Sequence, residues 1–377
     1  MSDATEALGA ASSDRLIEDS VARLFAEQVD TALRQRAEAG ELDAGLWGRV
    51  TEGGLPLLLA SEAAGGFGQS WRAAYPVLRG LGYWQVPLPL AETMVAALLA
   101  SLAGFDVPEG PLTLIEQGQG NQFALTGDAG SPRLSGVAHG VPWARHARAA
   151  LVSLADGRLA LLDLQHNPGV TLQPRNNHAG LPSDTLQLAN ATLRAVAPNP
   201  LPLARPVWTL GALARSAMMV GALESALVHA VRYAGDRVQF GKPIGKNQAI
   251  QQNLALMAGD VAAARVAALV AAADAPDAAD AAGSPEAGSQ DCSATLFSTA
   301  VAKVRCGEAA SRGTAIAHQV FGAIGFTHEH PLHFASRRLW AWREEFGSDA
   351  DWAAELGRAA IQSRASGFWP ALTRKQF

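Results

Sequence analysis

The spacing of apolar residues along the chain divides it into three regions, of which the first is helical. Ile17, Val21 and Leu24 recur at helical spacing with charged residues between them, which predicts an amphipathic helix over residues 14–39. The remaining predicted features of this region are helices at 46–50 and 75–82 and loops at 65–68 and 87–89. We therefore expect an N-terminal helical domain over residues 1–108.

The second region consists of short apolar runs separated by Gly, Asp, Asn and Pro. Such runs are typical of strands, and they occur at 112–115, 150–154, 158–164 and 185–193. In the last run, Leu186 and Leu188 alternate with polar residues, as in a sheet with one solvent-exposed face. Residues 109–203 are therefore predicted to form a middle β-domain.

The third region returns to helical periodicity after Pro206 and predicts a C-terminal helical bundle over residues 204–377. It is rich in Ala and Gly, which allow helices to approach each other closely. Residues 271–291 lack large apolar side chains and predict a flexible loop between two long helices. The predicted fold class is α+β and mostly α, with the order helical domain, β-domain, helical bundle.

Composition and charge exclude several classes of protein. A chain of 377 residues with 49% hydrophobic content can bury a large core. The net charge is −5 and charges of both signs are interspersed, so no basic face is available for nucleic acid. The two cysteines, Cys292 and Cys306, do not suggest a disulfide scaffold or a zinc site. The sequence has no basic leader and no apolar run of about 18 residues, which predicts a cytoplasmic protein that does not enter a membrane.

The densest local signal is the segment RVQFGKPI at residues 237–244, which lies between two predicted helices. The second of these helices is predicted to begin near Asn247. The guanidinium of Arg237 at such a junction can bind a diphosphate bidentately, supported by backbone N–H groups at the start of the second helix. The alternative is an ordinary turn in which Arg237 pairs with an acid such as Asp236.

This segment resembles the RxxFGxPI element of acyl-CoA dehydrogenases, together with the glutamines that follow it. A second segment, QVFGAIGFTHEHPL at 319–332, is similar to the QxxGGxGxTxExP segment of the same family. Weaker resemblances lie at 59–68 and 134–136, and the order of the three predicted domains also matches. The resemblance covers nearly the whole chain and is most specific after residue 205.

The resemblance implies an FAD bound in extended form between subunits, an acyl-CoA substrate, and a homo- or heterotetramer of same-fold chains. It also implies roles for one set of residues in holding the dinucleotide: Arg237 at the diphosphate, Gln239 and Phe240 near the adenosine, and Gln248 along the same molecule. A second set would reach the adenosine of a neighbour's FAD: Gln319, Gly322 and Gly325.

The catalytic carboxylate of the family has no counterpart at either of its usual positions. That carboxylate takes the α-proton of the acyl thioester while a hydride leaves the β-carbon for the flavin. The corresponding positions here hold Phe346 and, for a second group of members, Gly211, neither of which can accept a proton. Glu345 lies one residue from the first position and is the remaining candidate base. Alternatively, Glu344 and Glu345 are solvated charges.

The positions that face the flavin in the family are also altered. The sequence GVPW at 140–143 replaces the family's Trp-Ile-Thr segment, and no Ser/Thr-rich loop is recognisable at 115–118. Three functions follow: a dehydrogenase subunit that lacks its own base and works with a partner chain, a flavin-dependent monooxygenase, or a non-catalytic assembly subunit. The histidines at 328, 330 and 333 coincide with the family's TxExP turn, so no metal site is predicted there.

Overall fold

The computed structural model describes residues 16–118, 120–128, 130–278 and 292–375, and its first region is helical as predicted. The helices of this region are α1 (residues 16–28), α2 (Thr31–Glu38), α3 (Ala44–Glu52), α4 (Trp71–Tyr83) and α5 (Leu90–Leu102). The single helix predicted for 14–39 is wrong. Asp30 ends it by capping α2, because its carboxylate accepts a hydrogen bond from the Leu33 N–H at 2.7 Å.

The middle region is a seven-stranded sheet. Its strands are β1 (Leu112–Glu116), β2 (Gln122–Thr126), β3 (Arg133–Pro142), β4 (Ala149–Ser153), β5 (Arg158–Asp163), β6 (Val170–Gln173) and β7 (Ser183–Pro198). The order is β1-β4-β5-β7-β3-β2, with β6 also paired to β7, and only β1 and β4 are parallel among the described strands. The four predicted strands are confirmed as β1, β4, β5 and β7. The apolar runs did not predict β2, β3 and β6. Neither β2 nor β6 contains a fully buried residue, and the pairing of β3 is irregular between 134 and 136 and between 138 and 141.

The third region is a helical bundle with a short hairpin inserted in it. The helices are α6 (Pro206–Asp236), α7 (Gln248–Ala273), α8 (Ser293–Phe321), α9 (Leu332–Glu344), α10 (Asp349–Gln362) and α11 (Arg364–Arg374). The hairpin consists of β8 (Val238–Gln239) and β9 (Lys242–Pro243). The predicted start near Asn247 is confirmed, since its side chain caps α7. The predicted flexible loop falls mostly on 279–291, outside the described residues.

Helix α6 of the bundle packs against α4 of the N-terminal domain at two glycines. A Cβ atom on Gly82 of α4 would lie 1.7 Å from the carbonyl oxygen of Met218, and one on Gly221 would lie 1.9 Å from that of Arg79. The backbones of α4 and α6 therefore cross in contact, which only glycine permits at these two positions.

Helices α6 and α7 are both long and apolar enough to cross a membrane by length and composition. In α6, 83% of the most apolar stretch is buried inside the protein, so α6 is the core helix of the bundle. In α7 only 28% of the corresponding stretch is buried. A large apolar surface of α7 is thus left exposed.

Candidate active site and cofactor cleft

A cavity of about 470 Å³ lies where the sheet meets the bundle. Its wall includes Glu116 at the end of β1, Trp208 in the first turn of α6, and Glu345 and Phe346 just after α9. Asn176 and His178, from the loop before β7, add polar groups to the same wall. The cavity is therefore large enough for a small ligand and contains groups that could transfer protons or donate hydrogen bonds.

The Glu345 side chain is engaged in a buried ion pair. One carboxylate oxygen accepts a hydrogen bond from Arg215 Nε at 2.6 Å, and the other accepts one from the Asn177 side chain at 2.9 Å. Arg215 also pairs with the buried Glu92. Burial acts to lower the pKa of Arg215, but Glu92 and Glu345 outweigh it and raise that pKa above its usual value. Both oxygens of Glu345 are thus already used within the chain.

Lys303 fixes the backbone that carries Glu345. Its ammonium is buried and donates hydrogen bonds to the carbonyl oxygens of Trp342, Arg343 and Glu345 at 2.6, 3.1 and 2.7 Å. These are carbonyls at the C-terminal end of α9, which have no partner within the helix. Burial lowers the pKa of Lys303 to about 7, while the charge of Glu345 opposes that shift. The lysine holds the backbone of residues 342–345 in place.

Phe346 and Gly211, the two positions where the family carries its base, are in contact. A Cβ atom on Gly211 would lie 2.6 Å from Phe346 Cδ1, so the phenyl ring lies directly over the glycine. Phe346 has a φ of 56°, which is uncommon for a bulky residue. The ring also packs with Trp208 and Trp352. The structure thus brings together two positions that are far apart in sequence, and an aromatic ring occupies the space between them.

Glu116 is a cavity residue that the sequence analysis did not single out. Its Oε2 accepts a hydrogen bond at 2.8 Å from the backbone N–H of Trp208, at the start of α6. Burial raises the pKa of Glu116 to about 7, although the hydrogen bond to Trp208 acts in the opposite direction. No ion pair of Glu116 occurs within the described residues. A single carboxylate that ends an otherwise apolar strand was the sequence signal that could have identified it.

A second cleft, of about 510 Å³, lies at the end of α6 and contains most of the predicted dinucleotide residues. Arg237, Lys242 and Gln319 line it, and their side chains form no hydrogen bond with any other described residue. The lining contains no carboxylate. Asp236, the alternative partner of Arg237, instead pairs with Arg232 at 3.6 Å.

The walls of this basic cleft suit a nucleotide. The half-buried Tyr233 provides an aromatic surface and packs on the buried Phe321, with ring centroids 4.6 Å apart. Gly322 has φ 60° and ψ −140°, a conformation that other residues rarely adopt, and a Cβ there would meet no atom within 4 Å. Its backbone therefore borders open space in the cleft.

The other predicted dinucleotide residues differ in position. Gln239 and Phe240 line the basic cleft, and the Phe240 ring is fully exposed at the tip of the hairpin. Gln248 and Gly325 are outside its lining, although their neighbours Asn247 and Ile324 belong to it. The two sets of residues assigned to different FAD molecules thus largely share one cleft of a single chain.

The C-terminal histidines pack against aromatic rings. His330 lies 4.2 Å from Phe321, and His328 lies 5.1 Å from His333, measured between ring centroids. Burial lowers the pKa of His330. In the part of the chain that the structure describes, no group of three His, Cys, Asp or Glu residues could hold a metal ion.

The sequence matches a family profile described as "Acyl-CoA dehydrogenase, C-terminal domain" over residues 204–350. "Acyl-CoA dehydrogenase IpdE2" of Mycobacterium tuberculosis is 27% identical over 335 residues, covering 86% of this chain and 90% of the relative. "Acyl-CoA dehydrogenase FadE27" of the same organism is 29% identical over 323 residues, covering 77% and 81%.

Two solved structures have the same fold along almost the whole chain. A variant of the "Tcur3481-Tcur3483 steroid ACAD" has a TM-score of 0.80 and 24% identity, covering 94% of this chain and 99% of that one. The "ChsE4-ChsE5 complex from Mycobacterium tuberculosis" has a TM-score of 0.77 and 23% identity, covering 94% and 98%.

The N-terminal helices, the middle sheet and the C-terminal bundle form the fold of acyl-CoA dehydrogenases, a class of flavin-dependent oxidoreductases. The profile match and the relatives that cover most of the chain indicate which proteins of that class it resembles. Its bundle matches the C-terminal domain of acyl-CoA dehydrogenases, and the chain is similar to acyl-CoA dehydrogenases over most of its length.

Proposed function

We propose that this chain is a subunit of a heteromeric FAD-dependent acyl-CoA dehydrogenase and that it has lost its own base. A second chain of the same fold would supply the catalytic carboxylate. The observation that carries the proposal is the contact between Phe346 and Gly211, because neither of these family base positions holds a group that can take a proton. Glu345, the nearest carboxylate in sequence, is neutralised by Arg215.

The basic cleft fits the adenosine diphosphate half of FAD. Arg237 and Lys242 have free donors and the N-terminus of α7 adds a favourable dipole, so a diphosphate would find charge-assisted hydrogen bonds there. Tyr233 and Phe321 offer the adenine an aromatic surface. When bound, FAD supplies the two-electron acceptor that a dehydrogenation needs.

The interdomain cavity would hold ligand without transferring its α-proton. Phe346 and Trp208 contribute apolar surface to its lining, and Asn176 and His178 contribute hydrogen-bonding groups. The two solved structures of the same fold are the Tcur3481-Tcur3483 steroid ACAD and the ChsE4-ChsE5 complex, each named for a pair of chains. This supports a bulky acyl-CoA of lipid or steroid catabolism as the substrate of the assembly.

The test is co-expression of this chain with a same-fold homologue that carries an intact catalytic Glu, preferably one encoded beside it. We expect a mixed assembly with fewer FAD than subunits by native mass measurement, and acyl-CoA oxidation with an artificial electron acceptor. Replacing the homologue's Glu by Gln should reduce the rate by about 10²–10⁴, the usual contribution of a general base.

The matched variant is Glu345→Gln in this chain, which should leave most of that activity. A homotetramer with one FAD per chain, whose turnover Glu345→Gln abolishes, would overturn the proposal and identify Glu345 as the base. Oxygen consumption driven by externally reduced flavin, without acyl-CoA oxidation, would instead identify a monooxygenase.

A further inference from the structure

One wall of the basic cleft is a short 3-10 helix, Gly322–Phe326, whose first three residues belong to the cleft lining. We call this helix the cleft wall. Its inner side is closely packed, since a Cβ atom on Gly325 would lie 2.9 Å from Phe321 Cβ and 3.5 Å from Leu332 Cδ2. The cleft wall therefore keeps its position only while these neighbours keep theirs.

His330 connects the neighbours of the cleft wall to one another. Its Nδ1 accepts a hydrogen bond at 3.1 Å from the backbone N–H of Leu332, the first residue of α9. Its ring lies on Phe321, with centroids 4.2 Å apart, and Phe321 in turn packs on Tyr233 of the cleft lining. One imidazole thus fixes both the start of α9 and the aromatic side of the cleft.

Only the neutral form of this imidazole can make the hydrogen bond. Nδ1 accepts a hydrogen bond while it carries no proton, whereas both ring nitrogens of a charged imidazole are donors. A charged His330 would also place a positive charge at the N-terminus of α9, where the helix dipole disfavours it. Burial, and after it the neighbouring His229 and His333, lower the pKa of His330. Protonation would therefore break the contact that holds the start of α9.

The groups around this imidazole do not favour its charged form. His229 of α6 and His333 of α9 face it directly. The charged or titratable groups around these two histidines are Arg34, Arg232, Arg337, His328 and Glu38. Glu38, the carboxylate of this set, is paired with Arg337 at 2.9 Å, and Glu329 is exposed to solvent. The balance of charge is thus positive, which makes the region sensitive to acid.

The lining of the cleft does not itself respond to pH near neutrality. Among the described residues that form it there is no histidine, cysteine or carboxylate, and these are the side chains that titrate most readily between pH 5 and pH 8. The diphosphate of FAD is a diester, so its charge is constant over the same range. A pH dependence of FAD binding that originates in this chain would therefore come from groups behind the lining.

We propose that His330 is a positioning residue for the nucleotide and holds the cleft wall in place only while its imidazole is neutral. The inference rests on the proposed function, because it takes FAD as the ligand of the basic cleft. Mild acid releases the start of α9 from His330, loosens the cleft wall and weakens FAD binding. A residue outside the cleft lining thus makes nucleotide binding sensitive to acid.

The test is the affinity of the native assembly for FAD at about pH 7.5 and about pH 5.5, followed by flavin fluorescence. FAD should bind at least about tenfold more weakly at the lower pH, because the ordinary pKa of histidine is about 6.5 and one histidine has to stay neutral. His330→Asn keeps a hydrogen-bond acceptor for α9 but cannot be protonated, so it should reduce the ratio of the two affinities by about tenfold. His166→Asn is the matched control, since His166 is exposed on the middle domain, and it should leave the ratio unchanged.

A second variant, His330→Phe, separates the packing of the ring from the hydrogen bond. A phenyl ring can still pack on Phe321 but accepts no hydrogen bond from α9, so this variant should bind FAD weakly at both pH values. Thermal unfolding at about pH 7.5 checks that each variant is folded.

Three results would overturn the inference. FAD binding that does not weaken in acid, or that weakens equally in His330→Asn, would show that His330 only packs in the bundle and would leave the cofactor site intact. No FAD binding at about pH 7.5 would remove the proposed cofactor cleft together with the role of His330.

Discussion

Glu116 and Glu345 line the same cavity but have different surroundings. Glu345 is held by the Arg215 guanidinium, whereas Glu116 accepts a hydrogen bond from a backbone N–H group and is largely shielded from solvent. The burial of Glu116 outweighs its hydrogen bonds and the charge of Arg205, so this carboxyl group keeps its proton to higher pH. We therefore expect Glu116 to be the carboxyl group of this cavity that titrates near neutral pH.

Glu116→Gln should change how stability depends on pH. The folded protein holds the Glu116 proton up to about pH 7, whereas the unfolded chain releases it near its ordinary pKa of about 4.5. The contribution to stability is therefore present below about pH 4.5 and is lost as pH rises towards 7. The free energy of unfolding, measured with urea, should fall between pH 5 and pH 8. This fall should be smaller in the variant than in the unchanged protein by about 1–3 kcal/mol. Equal losses would contradict the shift.

Glu345→Gln should destabilise the fold, because it removes a charge-assisted hydrogen bond to Arg215. Such a bond is worth about 1.5–3 kcal/mol, measured as a change in the free energy of unfolding. Glu344→Gln is the matched control, since Glu344 is 56% exposed and lies 4.0 Å from Arg343. It should change stability by less than about 0.5 kcal/mol. Similar effects of the two variants would argue against the buried pair.

At the scale of elements, the crossing of α4 and α6 depends on glycine. Gly221→Ala should destabilise the protein by about 1–3 kcal/mol, because the new methyl group meets the backbone of α4. Gly357→Ala in α10 is the control, since a Cβ there meets no atom within 4 Å. That variant should be more stable by about 0.5–1 kcal/mol. Thermal unfolding of both variants separates the effect of helix propensity from the effect of the contact between the two helices.

The sequence predicted elements with a strong apolar period and missed those without one. Strands β1, β4, β5 and β7 bury most of their inward side chains, so their pattern is visible. Strand β2 lies at the edge of the sheet and buries no residue fully, so its sequence resembles that of a loop. The break between α1 and α2 depends on one capping side chain, Asp30, which a window of apolar spacing does not detect.

The candidate site was predictable in part for a similar reason. Arg237 and Gln319 belong to local motifs, so the resemblance singled them out as FAD residues, but it assigned them to different FAD molecules and did not predict that they line one cleft. The partners of Glu345 come from α6 and from the loop before β7, more than 100 residues away in sequence. Contacts of that range depend on tertiary packing, which spacing along one segment does not reveal.

At the scale of the whole molecule, the basic cleft is the feature best suited to bind a second molecule, since its exposed donors have no partner in the described chain. Arg237→Ala should lower the affinity of the assembly for FAD by about 10- to 150-fold, the equivalent of one charge-assisted bidentate contact. Arg232→Ala is the control, because Arg232 lies one turn earlier and pairs with Asp236. FAD per chain after gel filtration measures both. Equal retention would remove Arg237 from the site.

The Phe346 ring over Gly211 also has an evolutionary consequence. A Glu returning at 211 would collide with the ring, and a Glu returning at 346 would place an unpaired carboxylate beside Trp208. Each reversal therefore needs a second substitution before it is tolerated. Under the proposed division of labour, the loss of the base acts as a ratchet. A lineage that takes this step stays dependent on its partner gene, and the two genes are expected to be gained and lost together.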